Sequence, residues 1–327
     1  MSFFLGRGRK NKHERTPPSP IDMQPEPTTN GPVVILNDCN PIGMSYWRNI
    51  NNHSNSQFLK VAISVKNEIH ILLISKNTLQ VIQDRNLEIS HTGEGIYFSA
   101  SAPEALYIPS EHQLIRLNIS TLEKEVILEG HYKQYHSSWD DTKHSASVLN
   151  DNGEIIGWQV NDKFFERKGN PDECQIDKSG RYLIIKEDDS NRILDITTNW
   201  EEFISNQDGA VGHSDTGFEI VYGEDDFNSL PGALVEWNLS NLEKITRYST
   251  GIWNMGYVSY SPKGLLVSTP SDLRWLDLSG NLIRTIETHS DTSDYHARVK
   301  ANVCPLGEFA VWTEMNNGIF NAYLVRL

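Results

Sequence analysis

Leu117-Asn118-Ile119-Ser120, Leu194-Asp195-Ile196-Thr197, Trp237-Asn238-Leu239-Ser240 and Leu276-Asp277-Leu278-Ser279 are four copies of one phrase. Each sets an amide or carboxylate between two apolar residues and adds a hydroxyl. Gly157-Trp158-Gln159-Val160 and Leu73-Ile74-Ser75-Lys76 are looser copies. Counted from the polar residue, the steps are 118 to 159 (41), 159 to 195 (36), 195 to 238 (43) and 238 to 277 (39). Each copy ends a β-like run and leads through a polar turn into a second run, as at 122–128, 242–248 and 282–286. A period near 40 with several short strands per unit is the signature of a β-propeller, whose blades bury their faces only by stacking on neighbours.

Working outward, the period divides the chain into blades near 44–84, 85–130, 134–170, 171–210, 211–250, 251–291 and 292–327. Strands are expected at 58–65, 68–75 and 79–83 in the first blade, and at 95–101, 105–108, 113–119 and 125–128 in the second. Between the first two strands of several blades runs a turn with glycine near its end: Asp177-Lys178-Ser179-Gly180, Ser261-Pro262-Lys263-Gly264 and Cys304-Pro305-Leu306-Gly307. Each precedes an apolar run (182–185, 265–268, 309–313), as a strand covered on both faces should show.

The last blade has no chain left for a fourth strand after 309–313 and 321–326. Pro32-Val33-Val34-Ile35-Leu36-Asn37, alone ahead of the first repeat, can supply it and so hide the edges. The expectation is therefore an all-β, seven-bladed β-propeller over 32–327, closed by an N-terminal strand at 32–37. Residues 1–31 carry bases, then Pro17, Pro18, Pro20, Pro25 and Pro27, then Thr28-Thr29-Asn30-Gly31. Such a stretch has little to bury and reads as a disordered basic, proline-rich arm.

Net charge is −14, from 29 Lys+Arg against 43 Asp+Glu. Residues 1–15 run the other way: Arg7, Arg9, Lys10, Lys12 and Arg15 against Glu14 give +4, so the remainder carries −14 − 4 = −18. An acidic surface repels a phosphate backbone, so nucleic acid is not an expected partner. Cys39, Cys174 and Cys304 lie far apart with no metal-ligand spacing and read as single buried thiols. No run approaches the roughly 18 apolar residues of a spanning helix. Met1-Ser2-Phe3-Phe4-Leu5 is too short for a signal sequence and is followed by its charges, so a cytoplasmic or intravirion location is expected.

In a propeller the residues before each innermost strand converge on one mouth of the central channel. His136, His213 and His296 fall at that place, with Asp215 and Asp294 beside the last two and His289 upstream. Imidazoles with carboxylates nearby suit manganese or zinc, and His136, His213 and His296 are the candidate ligands. The plainer alternative is that these histidines cap strands or line a wet channel. Trp139 and Trp253 near the mouth suit stacking on sugar rings, although tryptophans in such repeats mostly pack between blades. No phosphate loop, nucleophile elbow or zinc-protease motif is present.

Gly212-His213-Ser214-Asp215-Thr216-Gly217, Gly256-Tyr257-Val258-Ser259, Thr288-His289-Ser290, Tyr295-His296-Ala297-Arg298 and the closing 307–327 resemble bacterial TolB/WD40-like propellers. Within that group they are similar to uncharacterised seven-bladed proteins distantly akin to oligogalacturonate lyases. The resemblance covers 211–327, and the first four blades match by repeat pattern. It implies manganese held by three histidines and a glutamine: His213 and His296, with His136 or His289 as third and Gln134 or Gln175 as the glutamine. The Trp-Asp blade endings of true WD40 repeats are missing.

Two functions compete. The favoured one is a non-catalytic platform that binds a protein partner, tethered by its arm to a larger assembly such as a virion, with no cofactor. The alternative is a metal-dependent enzyme of polysaccharide-lyase type acting on an oligosaccharide. Its metal would neutralise a uronate carboxylate and acidify the α-proton, with Arg298 or Lys300 as added cation. The acidic surface argues against an anionic uronate substrate.

Overall fold

The computed structural model describes residues 31–41, 49–52, 56–90, 96–110, 112–169, 171–187, 190–205, 215–225, 232–249, 257–290 and 299–327. These form seven four-stranded antiparallel sheets. Blade one is β2 (Ile50–Asn51), β3 (Phe58–Val65), β4 (Glu68–Ser75) and β5 (Val81–Ser90). Blade two is β6 (Tyr97–Phe98), β7 (Ala105–Pro109), β8 (Gln113–Asn118) and β9 (Lys124–Glu129); blade three is β10 (Tyr132–Ser137), β11 (His144–Leu149), β12 (Ile155–Val160) and β13 (Lys163–Glu166). Blade four is β14 (Pro171–Ile176), β15 (Tyr182–Glu187), β16 (Ser190–Asp195) and β17 (Glu201–Ser205); blade five is β18 (Thr216–Gly217), β19 (Ile220–Asp225), β20 (Ala233–Asn238) and β21 (Lys244–Ser249). Blade six is β22 (Tyr257–Ser261), β23 (Gly264–Ser268), β24 (Asp272–Leu276) and β25 (Leu282–Glu287). Blade seven takes β26 (Asn302–Val303), β27 (Phe309–Asn316) and β28 (Ile319–Arg326) from the C-terminus and β1 (Val33–Cys39) from the other end.

The ring therefore closes as expected. β1 pairs antiparallel with β28, Val33 opposite Leu324 and Cys39 opposite Phe320. The arm expected before it falls, up to residue 30, outside the described residues. Neighbouring blades touch through their first strands, β2 on β6, β10 on β14, β18 on β22 and β22 on β26. First strands thus surround the axis and fourth strands form the rim. No helix among the described residues is long and apolar enough to cross a membrane.

The apolar core is divided among the blade interfaces. One buried cluster joins blades one and two (Ala62, Ile69 with Phe98, Leu106), another three and four (Trp158, Val160 with Ile176, Leu183). The closing interface packs Ile35 and Cys39 of β1 and Phe309 of β27 with Ile50, Leu59 and Val61 of blade one. Each fully buried aliphatic or aromatic side chain contributes about 1.5–3 kcal/mol, so a blade is stable only between its neighbours.

The repeated phrase now has a mechanical reading. Its polar residue ends the third strand and folds its side chain over the following turn. Asn118 Oδ1 accepts from the backbone N–H of Ser120 (2.9 Å) and Thr121 (3.1 Å), and Asp195 Oδ1 accepts from the N–H of Thr197 (2.8 Å). Asn238 and Asp277 do the same for Ser240 and Ser279, each at 2.9 Å. These Asx turns hold the outermost strand at fixed offset. The loose copy around Gln159 lacks the device because β12 and β13 are joined by only Asn161-Asp162, a two-residue hairpin.

A second anchor recurs between first and second strands. Ser99 Oγ accepts from Ala102 N–H (2.7 Å), Ser138 Oγ from Lys143 N–H (3.1 Å), Ser261 Oγ from Lys263 N–H (3.2 Å) and Cys304 Sγ from Glu308 N–H (3.3 Å). Asp177 accepts from Ser179, Arg181, Tyr182 and Glu219 N–H groups. Gly180 and Gly307 take φ of +74° and +61°, the left-handed backbone glycine permits. Gly264 is different: β23 begins there, and a Cβ would stand 2.2 Å from the Leu276 carbonyl oxygen.

Strand limits shift where exposure hides the pattern. β3 and β4 lie where the apolar runs place them, but β5 begins at Val81 rather than 79 and continues to Ser90. Its outward residues Gln83, Asp84 and Asn86 are exposed, so no apolar period marks them.

Candidate aromatic mouth of the channel

The anchored turns between first and second strands bring blades three to six together at one end of the axis. Trp139, next to the anchor Ser138, donates its backbone N–H to the Lys178 carbonyl (2.9 Å), and Lys178 N–H donates to the Gly217 carbonyl (3.0 Å). Asp215 N–H donates in turn to Val258 (2.8 Å). A backbone relay thus passes from blade three to blade six.

Under it lies a buried ion pair. The Lys178 ammonium donates to Asp215 Oδ1, and the two side chains are only 4% and 6% exposed. Asp215 also accepts from Thr216 N–H (2.9 Å) and, through Oδ2, from Tyr260 N–H (3.1 Å). One carboxylate therefore binds donors from blades four, five and six. Burying such a pair is tolerable only when its hydrogen bonds are satisfied, as they are here.

Above the pair sits an aromatic group drawn from three blades. Trp139 lies 5.9 Å from Phe218 and 6.4 Å from Tyr260, ring centre to ring centre, and Phe218 lies 6.3 Å from Tyr260. Tyr222 stacks beneath Tyr260 at 6.2 Å. Such tilted contacts lie within the range where aromatic pairs attract. Trp139 and Tyr260 are half-buried, whereas Phe218 is 44% exposed. Burial first, and then the Asp215 carboxylate, push the Tyr260 phenol up, so it stays neutral. The chemistry on offer is an apolar, π-rich surface on a rigid polar base.

The residues singled out from sequence are distributed differently. Asp215 stands immediately before β18, the first strand of blade five. His136 is inside β10 rather than ahead of it, because that strand starts at Tyr132 and carries an irregularity between Lys133 and His136, with Gln134 at φ +55°. His136 is buried, 5% exposed. His289 follows β25 on the surface, with its N–H donating to Glu314 Oε2 at 3.2 Å. His213, His296, Arg298 and Trp253 lie outside the described residues. Among the described residues, no three His, Cys, Asp or Glu side chains gather to hold a metal.

Trp139 was singled out from sequence for a channel mouth, but it follows β10 as Phe218 follows β18, so this cluster lies at the other end of the first strands from the residues that precede them. Phe218, Tyr260 and Lys178 were not singled out, since one aromatic in a turn, another in a strand and a lysine beside a glycine turn carry no spacing signal. The exposed Phe218 in Thr216-Gly217-Phe218-Glu219, where a turn ordinarily places polar residues, was the available hint.

No family model matches the chain, and no curated protein sequence matches it. Solved structures do. A mitotic checkpoint complex chain aligns over 100% of this chain and 98% of its own, with TM-score 0.57 and 12% identity. An oligogalacturonate lyase in complex with manganese aligns over 92% of this chain and 98% of its own, with TM-score 0.61 and 10% identity. At such identities the likeness is one of architecture, and it agrees with the blade count: the chain is a seven-bladed β-propeller.

Proposed function

We propose that the protein is a non-catalytic interaction platform that seats a protein partner on the aromatic mouth, with residues 1–31 as its tether to a larger assembly. The observation that carries this reading is the gathering of Trp139, Phe218 and Tyr260 from three blades with Phe218 left 44% exposed. Aromatic anchors on a rigid base are the residues that dominate binding energy at interfaces, and they lose little entropy on contact. The buried Lys178–Asp215 pair supports the surface from below.

A photo-crosslinking phenylalanine at 218, compared with one at exposed Phe164 on the rim, tests this in native extracts. One discrete adduct at 218, absent at 164 and suppressed by excess parent protein, is expected. Equal labelling at both positions, or none at 218, would end the proposal.

A second reading is a metal-dependent carbohydrate-active enzyme of polysaccharide-lyase type. It draws support from the fold likeness to the manganese-bound lyase and from the recurrence of His136, His213 and His296. Those three would hold manganese or zinc, which supplies charge to stabilise an anionic intermediate. The described residues do not by themselves assemble that set. Elemental analysis of the purified protein beside His213→Ala separates the readings: stoichiometric metal lost in the variant favours the enzyme.

A further inference from the structure

A cavity of about 200 Å3 opens between blades one and two, away from the mouth. Its apolar wall is Ile71 and Leu73 of β4 with Ile119. Its polar lining is Lys60 of β3, Gln83 and Arg85 of β5, and Glu104 and Ser120 of blade two. The wall is fixed from both sides: Ile119 N–H donates to the Glu104 carbonyl at 2.9 Å, and Arg85 Nη1 donates to the Ile119 carbonyl at 2.8 Å.

The charges do not cancel. Glu104 is occupied by the Lys60 ammonium and by the Ser120 hydroxyl, which donates to Oε2 at 2.7 Å. Arg85 spends one donor on Ile119, and among the described residues its other guanidinium donors have no partner. Lys60 and Arg85 against Glu104 leave the cavity with one net positive charge, on a chain of net −14. Surface charges beyond about 8 Å are screened at physiological salt, so the local charge decides what enters. Guanidinium forks favour carboxylates, which they bind through paired hydrogen bonds. The size is also selective. Sites for whole small molecules span roughly 300–1,000 Å3, and this one holds about one residue.

We propose that this cavity is a docking site for an aliphatic residue carrying a free carboxylate, the C-terminal residue of a partner peptide. The side chain packs on Ile71, Leu73 and Ile119, and the carboxylate takes the free donors of Arg85. It is a second contact point, independent of the aromatic mouth.

N-acetyl-leucine is the probe, titrated into the full chain by calorimetry. Saturable binding in the low-millimolar range is expected, about what a dozen heavy atoms deliver. N-acetyl-leucinamide, which lacks the charge, is expected to bind at least tenfold more weakly. Arg85→Gln and Gln83→Glu, both on the rim strand, are each expected to weaken N-acetyl-leucine at least tenfold. Phe218→Ala at the mouth leaves its binding unchanged, so failure here and failure of the platform reading are told apart. Equal binding of acid and amide, undiminished binding by Arg85→Gln, or no binding of N-acetyl-leucine would overturn the proposal.

Discussion

Three leucines hold left-handed backbone in the turns after the third strands: Leu79 at φ +59°, Leu122 at +62° and Leu242 at +56°. Each donates its N–H to the residue that opens the turn, Leu122 to Asn118 at 2.8 Å. That conformation costs an L-residue about 1–2 kcal/mol, and glycine escapes it at a smaller entropic cost. Leu122 is 44% exposed and Leu79 only 4%, and this difference decides the sign of a substitution. Leu122→Gly is expected to leave the unfolding free energy measured in urea unchanged or raise it by up to about 1 kcal/mol. Leu79→Gly is expected to lower it, because losing a buried leucine costs about 2 kcal/mol or more. Asp195 carries the phrase furthest. Burial pushes its carboxyl up, but the Thr197 hydroxyl and the Arg181 guanidinium, which donates twice to Oδ2 at 2.8 and 3.0 Å, outweigh it and hold it well below the usual range. A depressed carboxylate stabilises the fold above its unfolded pKa of about 4 and loses that contribution as pH falls further. Asp195→Asn keeps the Asx turn, as Asn118 and Asn238 show, yet is expected to cost about 1–2 kcal/mol at pH 7 and to flatten the acid limb of the pH–stability curve.

At the scale of elements, β1 is the joint on which the ring depends. Ile35 and Cys39 point into the last interface, and Cys39 Sγ contacts the Phe320 carbonyl at 3.5 Å. Deleting residues 32–37 removes the fourth strand of blade seven and uncovers β28. A melting temperature lower by 10 °C or more, or loss of the cooperative transition, is expected by calorimetry; a truncated chain that melts like the full one would refute the closure. Cys39 reports the same event chemically. Burial pushes its thiol up to about 12, so it is neutral and unreactive in the closed ring. Alkylation at pH 8 should be slow in the native chain and fast once β1 is removed from β28, for example in Ile35→Asp. The neutral thiol stabilises the folded state below its unfolded pKa of about 8.5, and that contribution fades as pH rises toward 12.

Across the whole molecule the seven blades are coupled through buried polar joints as well as through their apolar layers. Asn49 Nδ2 donates to the Ile96 carbonyl (3.1 Å) between blades one and two, and Asn52 Nδ2 donates to Glu308 Oε2 (2.9 Å) across the closure. The Lys178–Asp215 pair is the joint with the most at stake, since it ties three blades under the aromatic mouth. Lys178→Met leaves the carboxylate buried without its cation and is expected to cost about 3–5 kcal/mol. Lys178→Met/Asp215→Asn is expected to recover part of that loss in urea denaturation, because the uncompensated charge is gone while the amide oxygen still accepts from one of the two backbone donors, Thr216 or Tyr260.

By itself the sequence determined the blade count, the turn phrase, the glycine turns and the need for an N-terminal strand in the last blade. Those features are local or periodic: an Asx turn, a left-handed glycine and a run of four apolar residues each show within a few positions of the chain. Only the tertiary structure decided that Trp139, Phe218 and Tyr260 meet, that Lys178 pairs with Asp215, and that Arg85 faces Ile119 of the next blade. Each of those contacts joins residues from 34 to 121 positions apart, as the numbers themselves show. A one-dimensional period records which strand a residue occupies, but not the rotation of one blade against the next, and it is that rotation that places side chains at the axis.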